Sequence, residues 1–277
     1  MAHKIAISGS TIMSDISLLQ DLFIDETSHI EIGEFENEDA YQHFLGMVKR
    51  SNKSFGLHSP LFRNDSKYDL IEYVHYEPDK AWIQFENEVK RIAEAGAAYI
   101  LVHFPYIQDD SKDPKTLIEE GLQRLSLLQT KYNLPIVCEP KLGMGRSAKG
   151  IEYLHKFPLS VWEKYGLKLC IDIGDYLLAA AKLSMNPLDL IQKWQDYIKV
   201  VHLHNIEFIE EKYIWIPIHP SHESDDVYFP IKEILSFIAK QNNIYWVLEH
   251  TPHSSPKKEF VMEGIQWLKK DILNIDK

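Results

Sequence analysis

Short apolar runs alternate with amphipathic stretches along the chain, and this alternation repeats eight times. The runs are rich in β-branched residues and nearly free of internal polar residues, which is typical of parallel strands covered by helices on both faces. The predicted strands cover residues 4–10, 29–35, 54–59, 99–105, 134–140, 167–174, 199–205 and 244–250.

Several of the intervening segments have the 3.6-residue period of helices that bury one face. Within residues 78–97, for example, Trp82, Phe85 and Val89 lie on one stripe. The same pattern predicts helices over residues 113–132, 187–198, 230–241 and 257–273.

Eight strand–helix units can close into a barrel or open into a doubly wound sheet. No Gly-x-Gly-x-x-Gly follows the first strand, so the dinucleotide-binding form of the open sheet has no support. The length of 277 residues suits a (β/α)₈ barrel, which typically has about 250 residues. We therefore predict an α/β fold, a (β/α)₈ TIM barrel in which residues 1–277 form a single domain.

Composition narrows the class of protein further. Hydrophobic residues make up 45% and charged residues 26%, and no long uncharged apolar run predicts a membrane span. The net charge of −11 disfavours general binding to nucleic acid, because that affinity comes from Lys and Arg. Cys138 and Cys170 lie in apolar runs and are expected to be reduced core thiols, and the strand-like start predicts no signal peptide. We expect a cytoplasmic protein without nucleic-acid or membrane partners.

Ionisable residues gather at the carboxyl ends of the predicted strands. They are Glu31 and Glu34 on the second strand, His58 on the third, His103 on the fourth, Glu139 on the fifth, Asp172 on the sixth, His202 and His204 on the seventh, and Glu249 and His250 on the eighth. Each one alone is typical of a core or surface residue, but these strand ends converge on one mouth in a barrel. Burying the three carboxylates Glu139, Asp172 and Glu249 is costly without a common partner, and a divalent cation is the simplest one.

The order of these motifs resembles the xylose isomerase-like TIM barrels, a superfamily that includes sugar phosphate isomerases and epimerases and endonuclease IV (AP endonuclease family 2). The matching motifs are Gly56-Leu57-His58-Ser59-Pro60, Val102-His103-Phe104-Pro105, Cys138-Glu139-Pro140, Cys170-Ile171-Asp172-Ile173-Gly174-Asp175, Val201-His202-Leu203-His204-Asn205 and Leu248-Glu249. They follow one another in order over essentially the whole chain.

The isomerase branch implies one divalent metal ion held by Glu139, Asp172, His202 and Glu249, with Glu139 and Glu249 also acting as the acid/base pair. Three carboxylates and one imidazole form an oxygen-rich set, which favours Mn²⁺ or Mg²⁺. Zinc, as one or two ions, is favoured instead if His58 and His103 join through a bridging Glu139.

The endonuclease branch implies three zinc ions, and residues for the first two sites are present here. For the third site, Asp175 stands where that branch has a His, and Pro217 replaces the Asp that precedes the position of His219 by two residues. A trinuclear centre is therefore not expected.

The remaining candidates are predicted to bind substrate: His58, His103, Lys141, Arg146, Asp175, His204 and His219. The segment 141–147 contains two glycines and two cations, and it reads either as an anion-binding loop or as a solvated turn. Residues 207–228 are long for a loop of this fold, and they predict either a lid carrying Trp215 and Ile216 or a homodimer contact.

Three hypotheses about function follow. The first is a metal-dependent isomerase or epimerase that acts on a small sugar or sugar phosphate by proton transfer next to a metal-chelated carbonyl. The second is a zinc-dependent phosphodiester hydrolase of the endonuclease IV type. The third is a non-catalytic barrel that binds a metal or a metabolite. The fold alone does not choose among them.

Overall fold

The barrel strands follow one another around the ring in chain order, in a computed structural model that describes residues 3–108, 114–209 and 212–275. Within these residues the parallel strands of the closed barrel are β1 (Lys4–Ser8), β2 (His29–Ile32), β3 (Ser54–His58), β4 (Ile100–His103), β5 (Ile136–Glu139), β6 (Lys168–Asp172), β7 (Ile198–Leu203) and β10 (Tyr245–Leu248). β10 pairs with both β7 and β1 and closes the ring. The predicted TIM barrel is confirmed, and each strand lies within its predicted segment except β7, which begins one residue before it.

The helices surround this barrel. They are α1 (Glu38–Arg50), α2 (Pro78–Glu94), α3 (Lys115–Tyr132), α4 (Lys149–Lys156), α5 (Leu159–Tyr165), α6 (Ile173–Leu183), α7 (Pro187–Ile191), α8 (Lys232–Ile238) and α9 (Lys258–Trp267). The helix predicted over 187–198 is α-helical only to Ile191 and continues as a 3-10 helix, Gln192–Tyr197. The predicted start of α3 at residue 113 lies outside the described residues. No described helix is long and apolar enough to cross a bilayer.

The interior of the barrel contains a closed apolar layer. It comprises Ala6, Tyr99, Leu101, Val137, Cys170, Val200, Tyr245 and Val247. Gly56 is part of this packing, because a Cβ there would lie 2.6 Å from the Tyr99 ring. The missing side chain leaves room for Tyr99 to reach across and donate a hydrogen bond from its hydroxyl to Glu31 Oε2 over 2.7 Å.

Residues 207–228 are not an irregular loop. Most of their first half belongs to an antiparallel hairpin of β8 (Asn205–Ile209) and β9 (Lys212–Ile216), which is separate from the barrel sheet. A 3-10 helix, Pro220–Ser224, follows the hairpin. The hairpin begins directly after His204, so it stands at the carboxyl ends of the barrel strands.

Candidate active site

The next layer of inward-facing side chains, on the side of the apolar layer nearer the carboxyl ends of the strands, is polar. Side chains alternate between the two faces of a strand, so a residue two positions after an inward-facing residue also faces inward. That step leads from Val137 to Glu139 and from Val200 to His202. The buried residues of this layer are Glu31, His103, Glu139, Asp172, His202 and Glu249. The register of the parallel sheet places neighbours such as Asp172 and His202 directly opposite each other.

His202 is at the centre of this layer and contacts three carboxylates. Its Nε2 atom is 2.8 Å from Glu31 Oε1, and its Nδ1 atom is 2.8 Å from Glu249 Oε2 and 3.2 Å from Glu139 Oε1. The Nε2 contact is a hydrogen bond, but neither Nδ1 nor Glu249 Oε2 has a partner with hydrogen-bond geometry among the described residues. At 2.8 Å the contact between Nδ1 and Glu249 Oε2 has the length of an ion pair, and no group of possible metal ligands among the described residues contains both side chains.

Glu139 faces two imidazoles with its other oxygen. Its Oε2 atom lies 3.1 Å from His103 Nε2 and 3.4 Å from His58 Nε2, and it has no hydrogen-bond partner among the described residues. Ligand atoms around a tetrahedral zinc ion are about 3.3 Å apart, given metal–nitrogen bonds of about 2.0 Å. These three donors therefore fit a divalent ion. Burial alone would raise the pKa of Glu139, but Lys141, His202 and His103 hold it well below its usual range.

Lys141 points its ammonium group into the same cluster. Nζ lies 2.6 Å from Asp175 Oδ2, 2.8 Å from Asp172 Oδ2 and 3.1 Å from Glu139 Oε1. Burial opposes the charged form of this side chain, but the surrounding carboxylates keep its pKa well above the ordinary value. Lys141 is therefore a buried cation that three carboxylates stabilise.

Asp172 connects the cluster to α6. It is the N-cap of that helix, and its Oδ1 atom accepts a hydrogen bond from the Asp175 amide over 2.9 Å. The same oxygen is 2.9 Å from His204 Nε2, and the His204 ring stacks on Trp215 at a centroid distance of 4.7 Å. A Cβ at Gly174 would lie 2.1 Å from this ring, so only glycine allows His204 to pack against the start of the helix. Burial and the Asp172 charge raise the pKa of Asp175 to about 6.

Residues that could hold a metal ion form several overlapping groups whose donor atoms lie within 4.8 Å of one another. The groups are Glu31–His58–His202, His58–His103–Glu139, Glu139–Cys170–His202 and Asp172–His204–Glu249. No such group in the described part of the chain contains all four of the predicted ligands Glu139, Asp172, His202 and Glu249. The predicted ligands therefore form one cluster but not one closed donor set.

A cavity of about 910 Å³ opens above the cluster. Glu249, His58, His103 and Lys141 line it, together with Arg146 from the segment after β5. The remaining lining residues are Ser8, Gly9, Ser10, Met13, Ser14, Ile32, Gly33, Glu34, Arg63, Lys67, Tyr68, Ile214, Trp215, Thr251 and His253. A cavity at this end of the barrel strands is where TIM barrels place their active sites.

His219 is the predicted substrate-binding residue that the structure places away from the cavity. It caps the 3-10 helix that follows the hairpin, and its Nδ1 atom lies 2.8 Å from the Ser221 hydroxyl. Its Nε2 atom is 3.0 Å from Glu263 Oε2, and its ring stacks on Phe260 of α9 at 3.9 Å. His219 is a candidate in the sequence because it matches a ligand position of the endonuclease branch within the long segment 207–228. In the structure the hairpin carries the chain past the cavity before it reaches this residue.

All the other predicted site residues either belong to the cluster or line the cavity. Sequence reasoning noted Glu31 at a strand end but gave it no role, although it is fully buried and bound to His202 and Tyr99. The signal was available, because Glu31 follows the inward-facing His29 by two residues. Tyr68, which stacks on His103 at 4.9 Å, comes from the long segment after β3 and left no pattern in the sequence.

No protein-family model matches the chain, and no curated protein matches its sequence. Solved structures do match. A D-tagatose 3-epimerase-like protein superposes with a TM-score of 0.70 at 15% identity, over 98% of each chain. A xylose isomerase-like TIM barrel protein from Mycobacterium smegmatis, solved in complex with magnesium, gives 0.61 at 11% identity, over 98% of this chain and 97% of that one. The IolI protein with a bound zinc atom gives 0.60 at 14% identity, over 98% of each chain.

These similarities show the fold. The chain has the TIM-barrel fold of these structures, and the resemblance found in the strand-end motifs is confirmed at the level of the fold.

Proposed function

We propose that this protein is an isomerase or epimerase of a small sugar or sugar phosphate. One observation carries the proposal: carboxylates and imidazoles from consecutive strands line or underlie a single cavity at the carboxyl ends of the barrel. Such groups can move a proton on and off a carbon next to a carbonyl. The D-tagatose 3-epimerase-like protein, which matches almost the whole chain, supports the same class of reaction.

Glu249 is the carboxylate best placed to act as the base. It lines the cavity, and its Oε2 atom has no hydrogen-bond partner among the described residues. Glu139, the other member of the predicted acid/base pair, has no exposed surface and accepts a hydrogen bond from Lys141. In this scheme Glu249 removes the carbon-bound proton, and the Lys141 ammonium stabilises the negative charge that develops on the substrate oxygen. The protonated Glu249 then returns the proton to the neighbouring carbon, which completes isomerisation. Epimerisation requires Glu139, the other member of the pair, to deliver a proton to the opposite face of the same carbon.

One close donor group in this site fits a divalent ion, and the four predicted ligands form a second, interrupted set. His58, His103 and Glu139 form a nitrogen-rich set that suits zinc. Glu139, Asp172, His202 and Glu249 form the oxygen-rich set that suits Mn²⁺ or Mg²⁺, although Lys141 now lies between two of its members. When bound, such an ion would polarise a carbonyl or hydroxyl oxygen of the sugar. The magnesium complex and the zinc-bound protein among the similar structures support a metal requirement.

The decisive experiment is solvent deuterium exchange. Ketohexoses, aldohexoses and their phosphates are incubated with the metal-loaded enzyme in D₂O, and NMR measures deuterium at the carbon next to the carbonyl. We expect exchange with the wild type and a loss of about 10²–10⁴-fold in the Glu249→Gln variant. Glu263→Gln is the matched control, because Glu263 is a largely exposed carboxylate bound to His219 outside the cavity.

Full activity in Glu249→Gln would remove the base assignment. Turnover without deuterium exchange would replace proton transfer by a hydride shift. The absence of both exchange and turnover across the whole panel would contradict the proposed reaction class.

The His58–His103–Glu139 group also favours a second function, a zinc-dependent phosphodiester hydrolase of the endonuclease IV type. Cleavage of an abasic duplex by the zinc-loaded protein, with binding that weakens steeply as salt increases, would support this function over the first. The net charge of −11 predicts no such binding at physiological ionic strength.

A further inference from the structure

The ammonium group of Lys141 occupies the position of a bound cation. Its side chain is only 10% exposed, and its Nζ atom contacts Glu139, Asp172 and Asp175 at 3.1, 2.8 and 2.6 Å. Three carboxylates around one buried ammonium resemble the oxygen-rich environment that a divalent ion prefers.

This position separates two halves of the predicted metal site. Glu139 forms a close donor group with His58 and His103, whereas Asp172 forms one with His204 and Glu249. Glu139 and Asp172 come from the adjacent strands β5 and β6, and the Lys141 ammonium bridges them. A divalent ion shared by these two carboxylates would have to displace the ammonium.

Several buried polar atoms near the ammonium lack a hydrogen-bond partner among the described residues. Glu139 Oε2, Glu249 Oε2 and His202 Nδ1 have no hydrogen-bond partner among the described residues, although all three are buried. Leaving such atoms unpaired is costly, so the cluster has capacity for positive charge beyond the single ammonium.

We propose that Lys141 is a built-in cation that excludes a divalent ion from the position between Glu139 and Asp172 and confines metal binding to the side of His58 and His103. The inference extends the proposed function, since it states which part of the site a metal can use. It differs from the set of four ligands implied by the sequence resemblance, because that set requires Glu139 and Asp172 to share one ion.

Calorimetric titration of the metal-free protein tests the proposal. Zinc and manganese are titrated separately into the wild type, Lys141→Met and Lys67→Met. Methionine keeps much of the length of lysine and removes its charge. Lys67 is the matched control, because its ammonium also lines the cavity but pairs with Glu34.

We expect Lys141→Met to bind one more ion per chain than the wild type, or to bind the same ion at least about a hundredfold more tightly, because a positive charge next to the ion is removed. Lys67→Met should gain no additional ion and should change the affinity far less than Lys141→Met does, because the Lys67 ammonium pairs with Glu34 rather than with Glu139 and Asp172. The same number of ions bound with the same affinity in the wild type and in Lys141→Met would overturn the proposal.

Three buried carboxylates without a cation could prevent Lys141→Met from folding in the absence of metal. Recovery of its circular dichroism spectrum on addition of manganese would then support the proposal. If metal does not restore folding, the same titration is done on Lys141→Met combined with Asp175→Asn, which carries one carboxylate fewer. Equal binding by this double variant and by the wild type would overturn the proposal.

The result does not depend on finding the substrate. A wild type that binds no ion and a Lys141→Met variant that binds one would support the built-in cation while contradicting metal dependence of the native enzyme. The titration can be interpreted even if the sugar-exchange experiment fails, because it measures metal binding directly.

Discussion

The cavity floor is the polar layer of inward-facing side chains beneath the cavity. On its β3–β5 side, Glu139 turns one oxygen towards two imidazoles, and within the described part of the chain that oxygen forms no hydrogen bond. On the β6 side, by contrast, an ammonium, an imidazole and a helix amide bind the oxygens of Asp172. The same alternation of inward-facing side chains produced both sides. The difference shows that strand periodicity places ionisable side chains in the cavity floor. Residues outside the strands then determine which of these charges are neutralised.

The largest expected effect is on the β6 side, where the charge of Asp172 is neutralised. Asp172→Asn removes a buried charge that faces Lys141 and His204. Breaking a buried ion pair costs about 3–5 kcal/mol, so we expect the free energy of unfolding to fall by about that amount. Urea unfolding followed by circular dichroism measures it. Glu86→Gln, in the exposed Glu86–Lys131 pair, is the control and should cost less than about 1 kcal/mol. Equal losses in the two variants would mean that the partners of Asp172 stabilise its buried charge no more than a surface ion pair would.

A pH effect is expected next to the β3–β5 side, at Glu88. Burial raises the pKa of Glu88 in α2 to about 7, and its Oε2 atom accepts a hydrogen bond from Ser59, the neighbour of His58. Because the folded protein binds this proton more tightly than the unfolded chain, the contribution of Glu88 to stability falls as the pH rises from about 4.5 to about 7. Glu88→Gln should remove this fall and leave the variant about 1–3 kcal/mol more stable relative to the wild type at pH 8 than at pH 4. Parallel stability–pH curves for the two proteins would contradict the prediction.

An effect of similar size is expected at Glu31, which contacts His202. Tyr99→Phe deletes the hydroxyl that donates to Glu31, while Glu31 keeps its contact with His202. Hydrogen bonds to charged groups contribute about 1.5–3 kcal/mol, so the free energy of unfolding should fall within that range. Thermal unfolding provides the measurement. Tyr132→Phe is the control, because its hydroxyl donates to the exposed carboxylate of Glu86. A loss in Tyr99→Phe no larger than in this control would mean that Glu31 does not depend on Tyr99.

The smallest effect is expected at His219. Its ring contacts Ser221, Glu263 and Phe260 rather than the cavity. Once a substrate is known, His219→Ala should leave KM and kcat nearly unchanged, whereas His204→Ala should raise KM more than it lowers kcat. Steady-state kinetics on both variants tests this difference. A clear rise in KM for His219→Ala would show that the segment after the hairpin reaches the substrate.

The sequence was sufficient for the barrel and for most of the site. The apolar runs located every barrel strand, and the polar residue that ended each run was the one facing the cavity or its floor, as at Glu139 and Asp172. This worked because strand periodicity and burial leave a strong local signal. The sequence did not reveal where the Lys141 side chain points, since a lysine just after a strand can extend into solvent or fold back over the strand end. Likewise, no local pattern shows that residues 205–216 pair as a hairpin, because that pairing depends on tertiary contacts.

The position of Trp215 has a spectroscopic consequence. The protein has six tryptophans, and Trp215 combines stacking on an imidazole, that of His204, with a lysine ammonium 5.6 Å from its ring centre, that of Lys141. Others, such as Trp162 and Trp194, are enclosed in the apolar packing outside the barrel. Indole fluorescence is sensitive to neighbouring charge, so the emission of Trp215 acts as an intrinsic optical reporter of events at the cavity floor. A ligand that moves the ammonium or unstacks the imidazole would change the emission without any added dye or label.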